Sequence, residues 1–307
     1  VLSRLDQPLD EHGAEQVLNG LLDALWALTA GGPGPAGPAS GRALAAILDP
    51  ARPASLVATL RTLVDAAFAV QEQLSGDTWQ VLADVESSLA ALESQPPELL
   101  LAVQPDLAGL TRALLALAGL AVESMVRDAA WCFLDGGRRV ERALALATVL
   151  RVTLVPVRPP HVEALLGESV LRAFESIIDY RRRFHATAQA RLIAEQLVFD
   201  AENPRSLRWQ LDRLADDLAA LPRRDGRRLN PEERPVLDAR TTVSLVDPAS
   251  LFGPDDGPAE RRGALDGFLA RLAGLLEEAT SELDRAYFVA PSRAALAQTS
   301  NTGRSPA

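Results

Sequence analysis

The sequence predicts an all-α fold, a multi-helix bundle of about ten helices built from two related halves. Three observations point there. Leucines and other apolar residues recur at spacings of three and four along most of the chain, as in Leu207, Leu211, Leu214 and Leu218, which is the period of a helix with one buried face. No stretch alternates with period two; the best strand candidate, 152–157, is short and is cut by Pro156. Apolar residues make up 48% of 307 residues, enough to fill a sizeable core.

The elements follow in order. Residues 13–29 carry Val17, Leu21, Leu25 and Leu28 at helical spacing, and the Gly/Pro-rich run 31–40 (GGPGPAGPAS) predicts a flexible loop. A short apolar helix spans 43–48 and stops at Asp49-Pro50. Pro53 is placed to open the next helix at its first position, with Leu56, Leu60, Leu63, Ala67 and Val70 on one face. Residues 77–92 bring Trp79, Leu82, Val85 and Leu89 to one side, and Pro96-Pro97 breaks the chain. A long core helix is expected over 106–127, from Leu107, Leu110, Leu114, Leu117 and Met125. A charged helix follows over 131–151, closed by Pro156, Pro159 and Pro160. Further helices are expected at 161–184 and 191–199, and after Asn203 as N-cap with Pro204 at the first position. Asn230-Pro231-Glu232-Glu233 marks another start, and the last long helix runs over about 259–287. In domain terms, residues 1–290 form one helical domain, with a first half at about 13–100 and a second at about 104–290. The polar run 291–307 is predicted as a disordered tail.

Helix 131–151 has unusual charge placement. Arg138, Arg139, Glu141 and Arg142 crowd into little more than one turn, and 143–150 is uncharged. Arg138, Glu141 and Arg142 stand at i, i+3 and i+4 and share a face, which Leu134, Asp135 and Ala145 extend. On a helix apolar on several sides, such a stripe is either a buried ion network or the wall of a pocket that clamps a carboxylate or phosphate. The residues Trp131, Phe133-Leu134-Asp135 and Gly137-Arg138-Arg139-Val140-Glu141-Arg142-Ala143 resemble the signature of the alpha-E domain family, a bacterial all-helical family named for a Glu-Arg motif. Ser176–Phe184 (SIIDYRRRF) and Phe199–Leu207 (FDAENPRSL) resemble it too, so that three motifs in order extend the resemblance over about 40–290. Gly136 departs from the family, which more often carries a larger residue there.

The family has no settled activity to carry over. The resemblance implies an accessory or binding domain that works with an ATP-grasp-type ligase, in the same or a separate chain, in a bacterial peptide- or amide-forming or peptide-processing system. A transglutaminase-like protein is a further implied partner, and ATP and magnesium would enter only through the ligase. Because the chain starts at Val1, without an initiator methionine, it is expected to be the C-terminal part of a longer protein fused to a circularly permuted ATP-grasp domain. Two other classes stay open beside this reading: an enzyme with an Arg/Glu active site, and a structural or dimerising bundle. No nucleophile–base pair, metal set or nucleotide loop is visible: Gly136-Gly137 lacks the phosphate-loop frame, and Cys132 has no histidine near it in sequence.

The candidate binding residues are Arg138, Arg139, Glu141, Arg142, Tyr180, Arg181, Arg182, Arg183, Asn203 and Arg205. Three successive arginines, 181–183, cover most of a helix circumference, so one is expected to turn inward and meet Glu141 in a single polar core. Composition narrows the partners. A net charge of −10 with no lysine argues against nucleic acid. The nearly uncharged run 113–122 is about half of a membrane span, which takes roughly 20 residues. No signal peptide is visible, one cysteine suits a reducing compartment, and a cytoplasmic protein is expected. Cys132 and the three histidines show no metal-ligand spacing, so no metal is expected.

The sequence also repeats. Ile47–Leu56 resembles Val198–Leu207 at an offset of 151 residues (56 to 207), and the leucine ladder continues from Leu60 and Leu63 to Leu211 and Leu214. At that offset, a first copy of the Arg138–Arg142 motif would fall before Val1.

Overall fold

The computed structural model describes residues 11–30, 37–94, 103–224, 226–253 and 260–288. The predicted tail 291–307, the Pro96-Pro97 break and most of the loop 31–40 lie outside them. Among the described residues there are twelve α-helices and no strand: α1 Glu11–Ala30, α2 Ala39–Leu48, α3 Leu56–Ala69, α4 Gly76–Ser94, α5 Gln104–Ser124, α6 Ala129–Thr153, α7 Pro160–Ala173, α8 Ile177–Phe184, α9 Ala190–Ala194, α10 Leu207–Ala220, α11 Glu233–Leu245 and α12 Gly263–Leu283. The strand candidate 152–157 contributes only an isolated bridge from Pro156 to Arg261.

Two hydrophobic cores result. Leu44, Val57, Leu60, Val64, Val85, Leu89, Leu92, Leu110 and Ala113 form the first, drawn from α2 to α5. The second joins α6 to α12 around Leu146, Leu150, Ile193, Leu211, Leu214, Leu269 and Leu272. Helix α5, assigned by sequence to the second half, packs on α4 in the first core. Helix α1 bridges the two, packing on α2, α6 and α7. Within the second half, α6 lies across α10 and α12, and α11 joins those two helices.

Helix entries depart from the sequence reading in one consistent way. Ser206, not Asn203, is the N-cap of α10, accepting from the Trp209 amide at 3.0 Å. Its repeat partner Ser55 caps α3 through the Ala58 amide at 3.2 Å, so Pro53 and Pro204 both precede their helices. The cause is the turn ahead of each cap. Asp49 accepts from the Ala51 amide and Asp200 from the Glu202 amide, giving aspartate turns that delay helix entry. Starting α3 at Leu56 turns Val57, Leu60 and Val64 inward and leaves Val70 exposed. The stretch 161–184 is two helices, because Glu175 adopts a left-handed φ of 53° between α7 and α8.

Asp128 caps α6 by accepting from the Trp131 amide at 3.2 Å, and α6 then runs unbroken through Gly136-Gly137. A Cβ at Gly136 would meet Leu214 at 3.5 Å, an ordinary contact, and one at Gly137 would meet nothing within 4 Å. Neither glycine is therefore required for close helix approach. Gly137→Ala is expected to stabilise the protein by about 0.5–1 kcal/mol, read as a higher urea midpoint with an unchanged slope.

Candidate functional site

The charged stripe of α6 is organised around Asp135. This carboxylate lies one turn before the arginines, at i−3 from Arg138 and i−4 from Arg139, and its side chain is only 6% exposed. Arg139 grips it with two donors: Nε reaches Oδ2 at 3.0 Å and Nη2 reaches Oδ1 at 3.1 Å. Arg138 adds a longer contact, Nη1 to Oδ1 at 3.4 Å. Arg139 Nη1 also donates to Gln210 Oε1 at 3.3 Å, and Gln210 Nε2 donates to the Pro204 carbonyl at 2.6 Å. Arg139 thus clamps α6 to α10 and to the turn before it, with its charge satisfied.

Asp217 on α10 faces the same group. Its Oδ2 is buried with no hydrogen-bond partner. Burial first, and then the charge of Asp135, push its carboxyl up to about 7, against a smaller opposing pull from Arg139. With Asp135 charged and held by the arginines, Asp217 is the carboxyl of the two that keeps its proton towards neutral pH. Burial, followed by Asp217 and Asp128, also raises Cys132, which leaves a buried neutral thiol and not a nucleophile.

Arg142 is the member left over. Half-buried on α6, it has no hydrogen-bond or ion-pair partner among the described residues. Burial first, then the like charges of Arg138, Arg205 and Arg139, hold it below the usual guanidinium range, with Asp135 as the opposing influence. Arg138 is lowered too, chiefly by burial. Arg205, on the turn before α10, completes the positive group; its own partner is Glu175, on the left-handed turn after α7. Arg138, Arg142 and Arg205 thus form a cationic face with one free guanidinium.

Glu141 does not belong to this face. It is exposed and pairs with none of the arginines, because at i+3 from Arg138 the short carboxylate of Asp135 has already taken the inward position. Glu141→Gln is expected to shift the thermal midpoint by less than about 1 °C, the range for an exposed, unpaired charge.

The arginine run of α8 also stays outside. Arg181 pairs with Glu168 at 2.5 Å, Arg182 with Asp179 at 3.7 Å, and Arg183 with Asp200 at 2.8 Å and Glu195 at 3.6 Å. All three are exposed, so none meets Glu141 and the expected single polar core does not form. The residue that α8 turns inward is Tyr180, whose hydroxyl donates to the Thr187 carbonyl at 2.9 Å and accepts from the Gln189 amide at 3.1 Å. Asn203 is buried as a tie between segments: its Nδ2 donates to Ser176 Oγ at 3.2 Å and the Gln196 carbonyl at 2.9 Å, and its Oδ1 accepts from the Arg205 amide. It thereby fixes the backbone that carries Arg205.

Two cavities lie elsewhere. One of about 570 Å³ is lined by Tyr180, Arg181, Glu168, Arg172 and His185. Another of about 400 Å³ is lined by Arg183, Arg191, Glu195 and Asp200. Their arginines 172, 181 and 183 are already paired with acids, and Arg191 is exposed and so needs no added anion to offset burial; Arg142 differs from all four in being half-buried without a partner among the described residues. Among the described residues no group of three or more His, Cys, Asp or Glu side chains could hold a metal.

Sequence reasoning missed Asp217 and Gln210 as members of the site. Asp135 was on the predicted stripe, and its signal was the i+3 and i+4 spacing to two arginines. Asp217 had no local signal, since α6 and α10 meet only through the fold.

The model of the Alpha-E family, described as a predicted alpha-helical domain with a conserved ER motif, matches residues 2–288. Glu-Arg pairs occur in this chain at 141–142, 233–234 and 260–261, and the sequence reading places the signature at the first of them. An uncharacterized protein of Mycobacterium bovis is 40% identical over 233 residues, covering 75% of this chain and 25% of that protein. An uncharacterized protein of Mycobacterium tuberculosis is similar over the same extent, at 40% identity. The chain thus spans about a quarter of the length of the curated relatives it matches. No solved structure matches.

Proposed function

The chain belongs to the Alpha-E family, and from that premise we propose that it is a binding domain whose α6 arginine face holds a carboxylate or phosphate group. The observation that carries this is Arg142: a half-buried cation beside Arg138 and Arg205, with no acid of its own among the described residues. A desolvated guanidinium among like charges destabilises the protein that contains it. An added anion would offset that cost and could be bound by two guanidinium forks at once.

In this reading the domain serves an ATP-grasp-type ligase, in the same or a separate chain, by holding the acidic end of a peptide-like substrate or product. Nucleotide and magnesium would be bound by that ligase and not by this domain. Two features support the assignment. The relatives extend well beyond the matched region, leaving room for a catalytic unit. On this face the charge without a partner is cationic although the chain carries −10 overall, which favours an anion here against the general field.

The test is a thermal-shift titration with L-glutamate and with inorganic phosphate. For a dissociation constant near 1 mM, 10 mM ligand should raise the midpoint by about 2 °C. Arg142→Gln should abolish that shift while leaving the unliganded protein as stable as before, or more so. An equal shift in both proteins, or none in either, contradicts the assignment.

A further inference from the structure

The 151-residue repeat is a structural repeat. Helix α2, 39–48, corresponds to the segment 190–199 that contains α9, and α3, 56–69, to α10, 207–220. The caps Ser55 and Ser206 and the turn aspartates Asp49 and Asp200 correspond as well, and α4 and α11 end at equivalent positions, 94 and 245. In the second half, α10, α11 and α12 are completed by α6, which packs on α10 and α12. In the first half, α3, α4 and α5 stand in the same chain order, and among the described residues neither α3 nor α5 has such a partner.

The uncovered faces are specific. On α10, Gln210 bonds Arg139 of α6, and Leu214 and Asp217 lie against Gly136 of α6; Leu207 and Leu221 extend this stripe and are buried. On the equivalent stripe of the first half, Thr59, Ala66 and Val70 are exposed, and Leu56 and Leu63 are only half-buried at the edge of the first core. Helix α5 leaves Leu115 and Val122 exposed by 54% and 42%, and Val126, just past its end, by 76%. It is long and apolar enough to cross a membrane by length and composition, and little of it is buried.

We propose that α3 and α5 form the seat of one further helix, contributed by polypeptide outside residues 1–307, that completes the first half as α6 completes the second. The curated relatives have chain to supply it, since the match covers only a quarter of their length. A second copy has no spare α6 to offer, because its own is packed on α10 and α12. The seat also defines the occupant's chemistry. Thr59 stands where Gln210 binds an arginine, and Ala66 where Asp217 meets Asp135. The occupant is therefore apolar toward α3 and has no Asp135–Arg139 clamp to satisfy there.

The experiment compares hydrogen exchange in the natural full-length polypeptide with that in residues 1–307. Amides of α3 and α5 should exchange at least about tenfold more slowly in the longer protein. Leu115→Asp should remove that protection in the longer protein and leave the thermal midpoint of 1–307 unchanged, because Leu115 is exposed there. Equal exchange in the two proteins, or an open reading frame that starts at residue 1, overturns the proposal. So does protection of 1–307 that appears only at high concentration, which would assign the face to a second copy. Co-sedimentation of 1–307 with anionic lipid vesicles, abolished by Leu115→Asp, would assign it to a membrane instead. None of these outcomes depends on Arg142, so this proposal and the anion-site reading can fail separately.

Discussion

Replacing Asp135 by alanine should destabilise the protein by about 3–5 kcal/mol, the cost of removing one partner from a buried ion pair. Asp135 is 6% exposed and receives three donors from Arg139 and Arg138. Without it, two partly buried guanidiniums lose their counter-charge on a helix that already carries the unpaired Arg142. Gln210 remains as an acceptor for Arg139, but a neutral amide replaces little of the lost charge interaction. Asp135→Asn should cost less than the alanine variant, because one oxygen still accepts. Urea melts at low salt measure this. A loss below about 1 kcal/mol would mean that the pair is solvated and behaves as a surface bridge.

Asp217→Asn should raise stability at pH 8, by about 2 kcal/mol, and leave it nearly unchanged at pH 4. The folded carboxyl lies near 7 and its ordinary value is 3.8. A carboxyl raised by folding destabilises the fold wherever it is ionised. The penalty is absent below 3.8, grows as the pH rises through the interval, and is complete above about 7. The full shift would correspond to roughly 4 kcal/mol; partial exposure and screening reduce it to about half. Asparagine mimics the protonated acid, since its amide can donate to Asp135 without adding charge. The starting protein should therefore lose stability between pH 4 and 7.5 in a way the variant does not. Parallel pH profiles for the two proteins would show that Asp217 ionises normally.

Both predictions concern residues that local sequence reasoning reached unevenly. The all-helical fold was legible because helical periodicity and proline punctuation are local signals, and Asp128, Ser55 and Ser206 supply the caps. The repeat was legible too, and its hydrogen bonds recur at the same offset. Helix register was harder. Choosing Asn203 as the cap moved the start of α10 by three residues, because the aspartate turn at Asp200 uses the intervening backbone. At the site, the arginines of α6 were visible as a cluster, but their partner was misassigned. Glu141 and Asp135 are both near them in sequence, and only packing against α10 decides that Asp135 is inside. The three arginines of α8 show a limit of circumference arguments. On a helix of eight residues at the surface, long side chains bend back to acids on neighbouring segments, and Tyr180 alone fills the inward position.

The central claim is that Arg142, with Arg138 and Arg205, is free to hold an anion. Arginine Nε–Hε nuclear magnetic resonance during a titration with L-glutamate and then phosphate tests it most directly. The account predicts that the Arg142 and Arg205 signals move together and saturate, while Arg139, held by Asp135, stays in place. Small, linear shifts shared by all arginines, tracking ionic strength alone, would contradict it.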